Sequence, residues 1–124
     1  MPNERRNLEG LAQKKCVPCT GGVDPLTAAE CEPFVEALNT GKQAADDIWS
    51  VVDAHHLARD FRFPDFASAL QFTNIVGALA EEEAHHPDIF LSWGKVGIKL
   101  FTHKIDGLAE SDFILAAKIE KIER

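Results

Sequence analysis

The stretch "IWSVVDAHHLARDFRFPDFASALQFTNIVGALAEEE", Ile48 to Glu83, contains a change of period that decides the fold class. Ile48, Ser50 and Val52 alternate with Trp49 and Val51, and Leu57, Arg59, Phe61 and Phe63 alternate with Ala58, Asp60 and Arg62. Side chains of a strand point to opposite faces in turn, so this pattern predicts two antiparallel strands. They join near Asp53–His55, and Pro64 ends the second. After Pro64 the apolar spacing becomes three and four: Phe66, Ala69, Leu70, Thr73, Val76 and Ala80 mark one face of a helix. Phe72, Ile75 and Leu79 widen that arc beyond what one sheet covers. The helix is therefore predicted to pack on a sheet and also against a second subunit.

Working outward, "DIFLSW" and "VGIKLFTH" form a second strand pair around Gly94–Lys95, a glycine-containing hairpin signal. Ser111 is placed to cap a last helix, "DFILAAKIEKIE", with Ile114, Leu115, Lys118, Ile119 and Ile122 on its inner stripe. Upstream, Thr27 with Glu30 three residues later makes a capping box for a helix reaching about Leu38. Pro33 lies inside that window and offers a second possible start. The order helix, strand, strand, helix, strand, strand, helix predicts an α+β fold, a four-stranded antiparallel sheet with helices packed on one face.

The length of 124 residues suits one domain. Residues 1–24 are polar, then Pro- and Gly-rich, and read as a leader ahead of a domain over 25–124. The net charge is −7, and the leader, with four basic and three acidic side chains, leaves nine basic against seventeen acidic for the body. An acidic body argues against a nucleic-acid partner, whose backbone needs a basic patch. A small neutral or weakly charged ligand, or another protein, fits better. No apolar run reaches membrane-spanning length and no signal peptide opens the chain, which predicts a cytoplasmic protein. Cys16 and Cys19 have the spacing of half a zinc site or a redox pair, but no second pair exists. With Cys31 they read as plain thiols packing the leader.

"EEEAHHPD", Glu81 to Asp88, breaks a local rule, because a helix C-terminus favours cations and here carries three glutamates. Pro87 biases the residue before it away from helix, so His85 and His86 sit on a short junction. Glu81 precedes His85 by four positions and is expected to reach its imidazole. In the returning strand, His103 shares a face with Lys99 and Phe101, while Thr102 points the other way. The hairpin returns His103 towards the two histidines. A lone histidine at such a place is ordinarily a surface side chain; convergence of Glu81, His85, His86 and His103 is what makes a cleft. His55–His56, in the predicted turn, reads as a solvated pair. The converging set suits two chemistries, a divalent metal site or metal-free general acid–base catalysis.

The segment Glu81 to Asp112 resembles the pterin-4a-carbinolamine dehydratase family. The residues that carry the resemblance are Glu81, His85, His86, Pro87, Trp93, His103 and Asp112, with a looser likeness over residues 24–124. The leader with "CVPC" looks like that of some bacterial members. Lys42 departs from the tryptophan that such members carry after the first helix. The resemblance implies a hydro-lyase that converts a 4a-hydroxytetrahydropterin to quinonoid dihydropterin and water, in support of tetrahydropterin recycling. It needs no metal and no cofactor. It implies His86 and His103 as acid and base in either order, His85 orienting the pterin, and Glu81 fixing the tautomer of His85. Backbone at Ala84 and from Phe101 through Thr102 and His103 to Lys104 would meet the ring edge. Pro87 and Trp93 would be scaffold, and Asp112 a cap or a catalytic group. The implied partners are the pterin, an aromatic amino acid hydroxylase pathway and further copies in a dimer or tetramer. The alternative is a non-enzymatic dimerisation or coactivator module of the same fold.

Overall fold

The computed structural model of the protein describes residues 8–16, 22–42 and 47–124. In chain order the elements are α1 (Leu8–Ala12), α2 (Ala28–Leu38), β1 (Ser50–Val52), β2 (His56–Arg62), α3 (Phe66–Glu83), β3 (Asp88–Ser92), β4 (Lys95–Leu100) and α4 (Glu110–Glu120). The strands make one sheet in the order β1-β2-β4-β3, antiparallel throughout. The period change around Pro64 is thus a strand pair followed by a helix. The capping box holds too, with the Glu30 amide donating to Thr27 Oγ1 at 3.2 Å and the Thr27 amide to Glu30 Oε1 at 2.9 Å. Pro33 lies within α2 and does not start it.

The two faces of the sheet follow from the alternation. Leu57 and Phe61 on β2 and Val96, Ile98 and Leu100 on β4 are buried, facing α3 and α4. Asp60 and Arg62 point to the other face, where Phe90 of β3 stands opposite Gly97 and is 61% exposed. Helix α4 is apolar on nearly every side because α1, α2 and α3 all pack around it. Leu11 of α1 is wholly buried, so the leader segment contributes to the core.

Three expectations need correction. On α3 the buried stripe is Ala69, Phe72, Val76 and Ala80, with Leu79 packed at its margin, whereas Phe66, Leu70 and Ile75 are exposed. Two alanines let this helix approach the sheet closely, which turns the larger side chains at 66 and 70 outward. The β3–β4 turn is Trp93–Gly94, not Gly94–Lys95, and Ser92 pairs with Lys95 across it. Gly94 has φ +71°, and a Cβ there would stand 3.0 Å from the Phe63 carbonyl oxygen. Trp93, at this turn, is 72% exposed. Ser111 does not cap α4; the helix begins at Glu110, after Ala109.

Candidate functional site

Helix α3 ends where Ala84 enters the left-handed region, with φ 53° and ψ 37°. The His85 amide then donates back to the Ala80 carbonyl at 3.2 Å, closing the helix end. This reversal separates the two neighbouring imidazoles. His85 turns inward, its side chain 14% exposed, and its Nε2 lies 2.6 Å from Oδ1 of Asp112. His86 turns outward, and its Nε2 lies 2.5 Å from Glu81 Oε2. Glu81 therefore pairs with His86 and not with His85, because the helical turn that an i,i+4 contact requires stops at Ala84. A carboxylate only accepts, so each Nε2 carries the proton of its pair.

Asp112 is fully buried. Its second oxygen accepts from the Thr102 hydroxyl at 2.8 Å and from the Ala109 amide at 2.9 Å. It is thus both a cap for α4 and the anchor of His85. Thr102 faces inward to this carboxylate, and its neighbour His103 opens a short 3-10 turn, His103–Ile105, beyond the end of β4. His103 is not a strand residue. It is exposed, and its ring lies against Phe101 with centroids 4.3 Å apart and planes tilted by 53°. The structure thus links His85 to the backbone at His103 through Asp112 and Thr102. It shows no contact of His103 with His86 or Glu81 among the described residues.

Two of the three glutamates at the helix end find partners. Glu83 accepts from the Cys16 amide at 3.1 Å and lies 3.9 Å from Lys118 Nζ, while Glu81 holds His86. Burial, with Glu83 beside it, pushes the Cys16 thiol up to about 12. It is an inert packed thiol, as Cys31 is buried in the core. Cys19 lies outside the described residues. Among the described residues no group of three or more His, Cys, Asp or Glu side chains is arranged to hold a metal ion.

The family described as pterin 4 alpha carbinolamine dehydratase matches residues 24–122. The chain belongs to this family. A protein of Rubrobacter xylanophilus, provisionally named pterin-4-alpha-carbinolamine dehydratase, is 54% identical over 93% of this chain and 100% of its own length. One of Alkaliphilus metalliredigens with the same provisional name is 51% identical over 92% of this chain and 96% of its own. The crystal structure of a transcriptional coactivator/pterin dehydratase from Brucella melitensis superposes with a TM-score of 0.66 at 31% identity, covering 77% of this chain and 95% of that one. A pterin dehydratase-like protein identified as a RuBisCO assembly factor in the alpha-carboxysome superposes less well, with a TM-score of 0.51 at 26% identity, 58% of this chain and 84% of that one. No helix among the described residues is long and apolar enough to cross a membrane.

On this dehydratase-family fold, the sequence reading missed the surroundings of His55. That residue is not simply solvated. Its Nε2 lies 2.7 Å from Asp106 Oδ1, its Nδ1 3.1 Å from His56 Nδ1, and its ring centroid 4.7 Å from that of Phe101. The register Leu57↔Leu100 is the signal that would have found it, since extending that pairing by one step sets Phe101 against His56. His56 has its pKa lowered, first by burial and then by the charges of Lys99 and His55.

Proposed function

We propose that the protein is a cytoplasmic 4a-hydroxytetrahydropterin dehydratase, working by histidine acid–base catalysis. The observation that supports this best is the pair of carboxylate–imidazole contacts at one chain reversal, His85–Asp112 buried and His86–Glu81 exposed. In the reaction, one imidazolium gives a proton to the 4a-hydroxyl as the C4a–O bond breaks and water leaves. A neutral imidazole takes the N5 proton, and that electron pair becomes the C4a=N5 bond of the quinonoid product. His86 and His103, both exposed, are the acid and base; each positioned imidazole contributes about 10²–10⁴-fold. His85 is held too rigidly by Asp112 to exchange protons freely and orients the pterin. Glu81 sets the tautomer of His86. Asp112 fixes His85 and Thr102, and the Ala84 and Phe101–Lys104 backbone borders the ring.

His103→Ala should lower the dehydration rate at least tenfold with the fold intact, and Asn74→Ala, exposed on α3, should leave it unchanged. The same assay after exhaustive chelation should show full activity. An unchanged rate in His103→Ala would remove His103 from the mechanism, and activity restored by a divalent ion would make the histidines ligands. A binding module without catalysis would fail the dehydration assay altogether.

The protein is proposed to be a homodimer or homotetramer. Phe66 and Leu70 lie on one side of α3 and are 44% and 40% exposed, an apolar strip that a second copy would cover. Leu79 packs on the core, so a charge there would unfold the subunit; Phe66→Glu with Leu70→Glu is the selective probe. Light scattering should give a dimer or larger for the native chain and a smaller mass for the double variant. A native monomer would rule the assembly out.

A further inference from the structure

His103 differs from the other two candidate imidazoles. His85 and His86 each have a carboxylate on a ring nitrogen, whereas among the described residues neither nitrogen of His103 has a protein partner. The ring contact that His103 does make is with Phe101, centroids 4.3 Å apart and planes tilted by 53°. Phe101 is in turn flanked by His55, with centroids 4.7 Å apart and planes at 39°. His55 is itself held on both nitrogens. Asp106 accepts from Nε2 at 2.7 Å, and Nδ1 lies 3.1 Å from His56 Nδ1. The Phe101 ring thus touches two imidazoles, His103 and a His55 that has a partner at each nitrogen.

The backbone supports this arrangement at a cost. Among the described residues, four other than glycine have positive φ: Asp53, Ala54, Ala84 and Asp106. Each lies within three residues of a histidine. Asp53 and Ala54 form the tight turn that presents His55, closed by the His55 amide donating to the Val52 carbonyl at 2.9 Å. Asp106, at φ 49°, ends the 3-10 turn that begins with His103, so one short turn carries both His103 and the carboxylate that holds His55. Left-handed conformations of such residues persist where the surrounding structure over-determines them, and they gather at functional sites.

We propose that Asp106 and His55 are positioning residues for His103, acting through the ring of Phe101. This rests on the reading that His103 is an acid or base of the dehydration. The tilted ring contact narrows the orientations open to His103 and leaves both its nitrogens free to exchange protons with the substrate. A carboxylate bonded directly to His103 would orient it too, as Glu81 does for His86, but would leave one ring nitrogen for proton exchange where the Phe101 contact leaves two. One ring's removal from this cluster is a loss at the reacting group and not at the pterin pocket, so it appears in kcat and not in KM.

The test uses the full chain and two readouts, dehydration kinetics and the histidine ring signals in a ¹H–¹³C spectrum. His55→Ala should lower kcat about three- to tenfold, the effect of weakening one aromatic contact, with KM unchanged. It should also shift the His103 ring signals towards those of a free imidazole. His55→Tyr, which keeps a ring and a donor for Asp106, should recover most of the rate and the shift, and guards against a misfolded alanine variant. In a His103→Ala background, His55→Ala should cost nothing further. An equal loss in both backgrounds, or unmoved His103 signals in the His55→Ala spectrum, would overturn the proposal. Should His103→Ala itself leave the rate intact, the acid–base reading falls, and the spectrum alone decides whether His55 orients His103.

Discussion

Asp112→Asn is expected to keep the fold and lower kcat/KM for 4a-hydroxytetrahydropterin by about 10²-fold, the scale of loss when a group that positions substrate is misplaced. The argument is one of donors and acceptors. Oδ2 of Asp112 accepts from the Ala109 amide and the Thr102 hydroxyl, and an asparagine must keep its oxygen there, since the amide of Ala109 cannot accept. The new NH₂ group then faces His85 Nε2, which lies 2.6 Å from the carboxylate in the native protein. Two donors cannot share that contact, so His85 must move its proton to Nδ1. The tautomer is reversed while the helix cap and the packing remain, as expected wherever a buried carboxylate fixes an imidazole. Kinetics on the purified variant, beside a thermal melt within a few degrees of the native one, would check this. A wild-type rate would show that the orientation of His85 does not matter to the reaction.

How much of this was readable in the sequence depended on range. The Thr27 capping box, the alternation over Leu57–Phe63 and the turn near Asp53–His55 are set by neighbours a few positions apart, and the structure has them where the pattern puts them. The existence of α3 was equally plain, but its phase was not. Apolar side chains occur all around that helix, so periodicity could not tell whether Phe66 and Leu70 or Phe72 and Ala80 face the sheet. Close approach of the backbone at Ala69 and Ala80 decided it, a property of the packed pair. In the site, Glu81 was matched to the wrong histidine because an i,i+4 rule assumes an unbroken helix, and the left-handed Ala84 breaks it. The contacts of His85 with Asp112 and of His55 with Asp106 and Phe101 span long separations in the chain. They follow from sheet register and from the turn after β4, which no local pattern contains.

Glu120→Ala is expected to destabilise the protein by about 3–5 kcal/mol, a large share of the roughly 5–15 kcal/mol that holds an ordinary domain together. Glu120 closes α4, its side chain only 6% exposed. One oxygen accepts from Trp49 Nε1 at 2.9 Å and from the Arg59 guanidinium; the other accepts from Lys42 Nζ at 2.6 Å and from Arg124 at 3.1 Å. Lys42, the departure from the family pattern, is thus part of the group that holds this carboxylate. Arg59 itself is 5% exposed, lies over the Phe61 ring, and already has an Nε without a partner among the described residues. Removing Glu120 would leave that buried guanidinium only the exposed Asp47, 3.8 Å from its Nη2, which is why the loss should exceed that of a surface pair. A double variant, Glu120→Leu with Arg59→Met, should recover a good part of it, because the buried guanidinium goes with the carboxylate and only the Lys42 ammonium, its side chain 15% exposed, loses its partner. Burial alone would raise the carboxyl's pKa, but hydrogen bonds from Lys42, Arg59 and Trp49 outweigh it and hold it at about 2. Since the folded value lies below the ordinary 4.5, the stabilisation is complete above that pH and is lost as pH falls towards 2. Urea titrations should therefore show native stability level above pH 5 and falling steeply between about 4.5 and 2. Glu120→Gln, which cannot titrate, should start lower at neutral pH and lose this part of the acid slope. A loss below about 1 kcal/mol in Glu120→Ala would place the group among ordinary surface ion pairs, and an unchanged acid slope in Glu120→Gln would assign the acid sensitivity to other carboxylates.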